Sequence, residues 1–296
     1  MVILVSGATG NVGQHVVSTL LGRGADVRAL THNSDGADLP IGVDTVRGDL
    51  SRPDSLKEAL SGVTAVFLVW PFLTAKAASA VIETVERSST RIVYLSSMSV
   101  RDGADRQTDP ISSSHAEIER LISRSRLQWT FLRPSGFATN TLVWAQQTRA
   151  GSTVQWPYGD ARRSLIDERD IAAVATCALI DEGHSASTYV LTGPQALTQI
   201  EQLELIGQAI GRPLHYEEIP PAAARQALLT AWGIPRIVAR LLPAKTVPRR
   251  IADGVLAAQA EMVSKPEAVT DTVEQITGTA ARTFADWANR HAQDFR

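Results

Sequence analysis

Residues 7–13 read Gly-Ala-Thr-Gly-Asn-Val-Gly, three glycines at GxxGxxG spacing. Such a loop can hold a pyrophosphate, because backbone N–H groups and a helix N-terminus together make a seat for an anion. Gly7 permits the tight turn, Gly10 lets the phosphates approach, and Gly13 lets the helix pack on the strand, while Thr9, Asn11 and Val12 complete the loop. The pattern alone is weak. Its context is strong, since it stands between the apolar run Val2-Ile3-Leu4-Val5 and a helical stripe of Val12, Val16, Val17, Leu20 and Leu21. The chemistry implied is the binding of a nicotinamide dinucleotide.

Eighteen positions after Gly13 stand Thr31-His32-Asn33, where an NAD-selective protein presents an acid to the ribose hydroxyls. With no acid there, a 2′-phosphate is not repelled. Both NADP and NAD are therefore expected as cofactors, with His32 and Arg28 offering partial positive charge. Asp49-Leu50, ending the third strand, are expected at the adenine edge; the other reading of Asp49 is a cap for the following turn. Trp70-Pro71, Ser96 and Pro134, at the ends of later strands, complete the expected cofactor edge.

Aromatic residues form only 5% of the chain, yet Trp70-Pro71-Phe72 follow the fourth strand, at the carboxyl edge where open α/β sheets bind ligands. Phe137, Trp144, Trp156 and Tyr158 are expected to close a flat apolar pocket from the other side, core packing being the alternative for each. An aromatic small-molecule substrate follows from this clustering. Arg236, Arg240, Lys245, Arg249 and Arg250 interleave with Ile237, Val238, Leu241 and Leu242, which reads as the solvated face of a lid helix rather than a membrane-binding patch.

The elements that must position these residues alternate regularly. Strands are expected near Asp26 to Leu30, Asp44 to Arg47, Ala65 to Val69, Arg91 to Leu95 and Gln128 to Leu132, with helices between them. Ser114-His115-Ala116-Glu117 reads as a capping box opening one helix, and Thr198-Gln199-Ile200-Glu201 as another. Apolar strands alternating with helices imply a Rossmann-type, doubly wound α/β fold with a parallel sheet. Residues 1–135, with 161–182 returning, are expected to form the NAD(P)-binding domain, and 136–160 with 183–296 a smaller, mainly helical substrate lobe.

Composition narrows the classes. Twenty-nine basic and 31 acidic residues give a net charge of −2, which leaves no field to attract nucleic acid or an anionic membrane. Cys177 is the only cysteine, so no intrachain disulfide forms, and its apolar neighbours suit a buried thiol. The six histidines show no paired ligand spacing, so no metal is expected. The apolar run Ala65 to Leu73 is too short to span a bilayer. A cytoplasmic monomer or homodimer is the expectation.

The chain also resembles the NmrA-like family of atypical short-chain dehydrogenases/reductases. The likeness is carried by Gly7 to Gly13, Val27 to Thr31, Gly48-Asp49-Leu50, Tyr94-Leu95-Ser96-Ser97, Leu132-Arg133-Pro134 with Phe137, Ile166 to Ala172, and Leu191 to Pro194, and it covers nearly the whole chain. The resemblance implies one of three activities: NADPH-dependent quinone reduction, redox sensing without turnover, or tailoring of aromatic polyketides. Relatives commonly have Arg after the strand-two Thr, where this chain has His32. The Tyr-x-x-x-Lys pair of the wider superfamily is replaced by His115 and Glu119. On this reading His115 handles the proton, Glu119 raises its pKa from one helical turn away, and Ser97 lies near the substrate oxygen. The leading expectation is an NAD(P)H-dependent oxidoreductase acting on a quinone-like aromatic; the alternative is a non-catalytic sensor.

Overall fold

The computed structural model describes residues 1–32, 39–231 and 247–296. Seven strands form one parallel sheet: β1 (Val2–Ser6), β2 (Asp26–Thr31), β3 (Asp44–Arg47), β4 (Val63–Val69), β5 (Arg91–Leu95), β6 (Gln128–Pro134) and a later strand, Ser187–Leu191. Their spatial order is β3-β2-β1-β4-β5-β6 followed by Ser187–Leu191. Strand order reverses between β1 and β4, and such a switch point opens a crevice at the carboxyl ends of the strands. Ser6 holds these two ends together, since its hydroxyl accepts from Val69 N at 2.7 Å.

Alternation along each strand explains why helices cover both faces. In β1, Ile3 and Val5 enter one core and Leu4 the other; in β4, Ala65 and Phe67 divide from Val66 and Leu68 in the same way. The first core is closed by α1 (Gly13–Gly22) and a helix at Glu168–Ile180, the second by α2 (Ala78–Glu86) and α3 (Pro110–Ser123). A third core belongs to the lobe and gathers Trp144, Trp156, Leu203, Ile206, Phe284, Trp287 and Phe295.

Two expectations need correction. Ser187–Leu191, assigned from sequence to the lobe, pairs with β6 as the seventh strand, and Val273, Ile276 and Ala281 pack against the first core. Second, α3 begins at Pro110 rather than near Ser114. Asp109 caps it by accepting from Ile111 N and Ser112 N, and Pro110 takes the first helical position, where it loses no hydrogen bond. The capping box at Thr198 and Glu201 does form.

Candidate functional site

The phosphate loop is built as its glycines imply. Gly7 has φ +64°, a conformation that suits a residue without Cβ, and Gly10 N donates to Gly7 O at 2.9 Å. A Cβ on Gly13 would stand 2.0 Å from Gly7 O, so helix and loop touch through bare backbone. No side chain caps the N-terminus of α1, while Thr9, Gly10 and Asn11 are exposed at the rim and Val12 is buried beneath it. At the end of β2 the Thr31 hydroxyl is buried without a hydrogen-bond partner. A bare cradle beside an orphaned hydroxyl fits a dinucleotide, whose pyrophosphate the loop would hold.

The charges around that end are arranged differently from expectation. Arg28 is committed elsewhere: its Nε donates to Asp44 at 2.6 Å and its Nη1 to the carbonyls of Ala59 and Ser61, near the start of β4 and away from the crevice. His32 is exposed at the crevice edge; Asn33 and the basic stretch from Arg236 to Lys245 lie outside the described residues. Asp49 caps its turn, accepting from Ser51 N at 2.8 Å and Ser51 Oγ at 2.7 Å. Burial, which would raise its pKa, is outweighed by these bonds and by the nearby His32, so the carboxyl stays below its ordinary range. Leu50 and Trp70 are buried in the second core, the Trp70 Nε1 donating to Thr74 O at 2.9 Å, and Pro71 is exposed.

Beyond β5 and β6 a polar wall faces α3. Glu119 does not act on His115. Its Oε1 accepts from Ser96 Oγ at 2.5 Å and from Arg133 Nε at 3.0 Å, and its Oε2 accepts from Arg133 Nη2 at 2.6 Å. Arg133 also reaches Asp102, at 2.9 and 2.7 Å. The expected activation of His115 by Glu119 therefore fails: the carboxylate is committed to a buried guanidinium. Instead, burial holds the His115 pKa down to about 4, against a smaller opposing effect of Asp109.

His115 Nδ1 lies 2.7 Å from the Tyr94 hydroxyl. Burial, reinforced by the Glu119 charge, pushes the Tyr94 phenol well above its ordinary pKa, so it keeps its proton. A protonated phenol beside a neutral imidazole donates to Nδ1, which leaves the imidazole proton on Nε2. Ser97 joins a chain of hydroxyls, with Ser97 Oγ 2.8 Å from Ser99 Oγ, which in turn accepts from Ser112 Oγ at 2.8 Å. Met98 N donates to Pro134 O at 3.0 Å, tying this loop to the end of β6. Tyr94 and Arg133 were present in the family motif, yet only the fold reveals what they bond.

The aromatic residues do not form one pocket. Phe72 packs with Trp70 at 5.2 Å, edge to face, against the second core, whereas Phe137 packs against the first. Trp144 and Trp156 are buried in the third core, 6.5 Å apart and edge to face, with Tyr158 alongside them. Sequence proximity to the crevice placed them together; burial distributes them among three cores.

Residues 7–182 match the family model for NAD(P)H-binding domains. The chain is 36% identical to the (4-alkanoyl-5-oxo-2,5-dihydrofuran-3-yl)methyl phosphate reductase of Streptomyces griseus, over 99% of both chains. It is 35% identical to the NAD(P)H azoreductase of Xenophilus azovorans, again over 99% of both. The fold matches that of an NADPH-dependent quinone oxidoreductase from Escherichia coli in complex with NADPH, at TM-score 0.74 and 21% identity, covering 97% of this chain and 99% of that one. The glycine cradle, the parallel sheet and these likenesses agree, and the chain belongs to the NAD(P)H-binding family, within the NmrA-like atypical short-chain dehydrogenases/reductases, as an NAD(P)H-dependent oxidoreductase.

Proposed function

We propose that this protein reduces an electron-poor conjugated acceptor, a quinone, an azo compound or an alkene flanked by carbonyls. The observation that carries the reading is the neutral His115, half-buried and hydrogen-bonded to Tyr94, in place of the charged Tyr-x-x-x-Lys machinery. Reducing an isolated ketone calls for a strong proton donor, because the alkoxide formed is very basic. Acceptors conjugated to carbonyls or aromatic rings spread the new negative charge and can take their proton from water.

The relatives' names fit that class. An azo bond, a quinone and a dihydrofuranone double bond conjugated to two carbonyls share a low-lying acceptor orbital and have different shapes. When bound, NAD(P)H supplies the hydride. The chain's own contribution is to hold pyrophosphate at Gly7 to Gly13, to exclude water, and to offer the His115 Nε2–H to the charge that builds on the acceptor. Glu119, Arg133 and Ser96 hold that wall in place, and Ser97 lines it. The separation of the aromatic residues into three cores widens the class beyond flat aromatics, and quinone-like polyketides are members of it.

The test is NADPH oxidation against a panel of quinones, azo dyes and isolated ketones. Turnover of the first two groups and none of the ketones is expected, with His115→Ala lowering kcat about 10²-fold at little cost to cofactor affinity. Reduction of isolated ketones at comparable rates would contradict the reading.

A further inference from the structure

A cavity of ≈ 120 Å³ lies in the lobe, lined among others by Asn140, Trp144, Arg163, Gln199, Gln202 and Gln259. Three of its lining residues bury a polar atom without a hydrogen-bond partner: Trp144 Nε1, Arg163 Nε and Gln259 Oε1. Buried polar atoms are nearly always paired, because leaving one unpaired costs about 1–3 kcal/mol. Three at one cavity mark a place where a polar group is meant to sit.

The charge there has one sign. Arg163 is the only ionisable residue among those lining the cavity, and among the described residues no carboxylate forms an ion pair with it. Its neighbour Arg162, by contrast, pairs with Glu201 at 3.3 Å. The other glutamines lining the cavity spend their amide N–H groups on backbone: Gln199 on Pro157 O and Tyr158 O, and Gln202 on Leu197 O. Trp144 Nε1 and Arg163 Nε, the second of them charged, are thus the fully buried donors left without a partner at this cavity. The Gln259 amide can present its NH₂ by rotating half a turn.

The place of Arg163 connects the cavity to the crevice. Its Nη2 occupies the position beside Gly136 where a Cβ would approach to 2.0 Å, so only glycine admits the guanidinium. Gly136 stands two residues past Pro134, the last residue of β6, at the carboxyl edge of the sheet. Ser164, next to Arg163, is stitched to the same segment by its carbonyl, which accepts from Ser135 Oγ at 2.5 Å.

We propose that this cavity is a subsite for an oxyanion group on the substrate, a carboxylate or a phosphate, held by Arg163 and Trp144. This rests on the reading of the protein as a reductase of conjugated acceptors and adds to it a preference for anionic ones. Arg163 supplies charge and Trp144 direction, and one tetrahedral or planar anion fits the cavity's volume.

Two measurements keep the subsite separate from the activity. In the first, tryptophan emission is followed while NADP-loaded protein is titrated with benzoate, phenyl phosphate and, as neutral control, methyl benzoate. Saturable quenching by at least one anion and none by the ester is expected, with the preferred anion identifying the source of the oxyanion. Arg163→Gln should weaken that binding tenfold or more and Trp144→Phe severalfold, while Arg163→Lys retains part of it. In the second, a benzoquinone bearing a short carboxylate arm is compared with its methyl ester, and wild type should favour the acid tenfold or more in kcat/KM. That ratio should fall toward one in Arg163→Gln. Absence of anion binding, or an acid-to-ester ratio that survives Arg163→Gln, would overturn the subsite. Failure to reduce either quinone would count against the reductase reading alone, since the emission titration still reports on the cavity.

Discussion

Arg133, within β6, and Arg163, beside Gly136 just past its end, have opposite surroundings. Arg133 is buried, with Glu119 on one side and Asp102 on the other, and it makes four close bonds to these two carboxylates. Arg163 meets glycine backbone and a cavity, with its Nε unpartnered. A guanidinium saturated by fixed carboxylates can only hold the structure, whereas one left short of partners carries a stability cost that a ligand can repay. The contrast separates a strut from a binding group.

The largest effect should come from breaking the strut. Arg133→Met leaves Glu119 buried without its cation and is expected to destabilise the fold by about 3–5 kcal/mol. Arg163→Met, which removes an under-partnered charge, should be neutral or slightly stabilising in the same denaturant titration. Equal losses in the two variants would erase the distinction.

A smaller effect is expected at Tyr94, which belongs to the same wall. Tyr94→Phe removes the donor that keeps the His115 proton on Nε2, and kcat with a quinone should drop by about tenfold while cofactor affinity holds. A variant as active as wild type would show that the imidazole needs no help in choosing its tautomer.

The smallest effect concerns the cofactor. Thr31 and His32 present neither an acid nor a fixed cation to the 2′ position, and Arg28 is turned away to Asp44. Calorimetric affinities for NADP and NAD should then differ by less than tenfold, about 1.4 kcal/mol. A hundredfold preference either way would mean that some other group reads the 2′-phosphate.

Much of this was legible in the sequence, and the parts that were not share a cause. Near-continuous apolar runs marked β1, β4 and β5 because these strands lie inside the sheet and are covered on both faces, whereas β3, at its edge, is exposed or half-buried throughout. The glycine loop marked the cofactor because its spacing is dictated by contacts as close as Gly13 to Gly7 O. The start of α3 was misplaced because Ser114-x-x-Glu117 imitates a capping box. Asp109, five residues earlier, followed by Pro110, satisfies the helix end better. The pairing of Glu119 with Arg133 joins a helix to a strand 14 residues away, and no local pattern records it. Arg163 beside Arg162 reads as an exposed basic pair until the fold buries its Nε. Charge partnership depends on tertiary contact, and sequence periodicity reports only faces.

The pH dependence of kcat on a quinone tests the central claim, a neutral imidazole serving an acceptor that needs no strong acid. His115 titrates near pH 4 in the folded protein, depressed from 6.5 by burial, so it stays neutral above about pH 5. Its contribution to stability is full above pH 6.5 and declines as pH falls toward about 4, because the unfolded chain takes up the proton first. The account predicts NADPH-dependent quinone turnover with kcat flat from about pH 5.5 to 8. A kcat that falls along a limb centred near pH 6.5, and loses that limb in His115→Ala, would show that the histidine works as a charged acid and would contradict it.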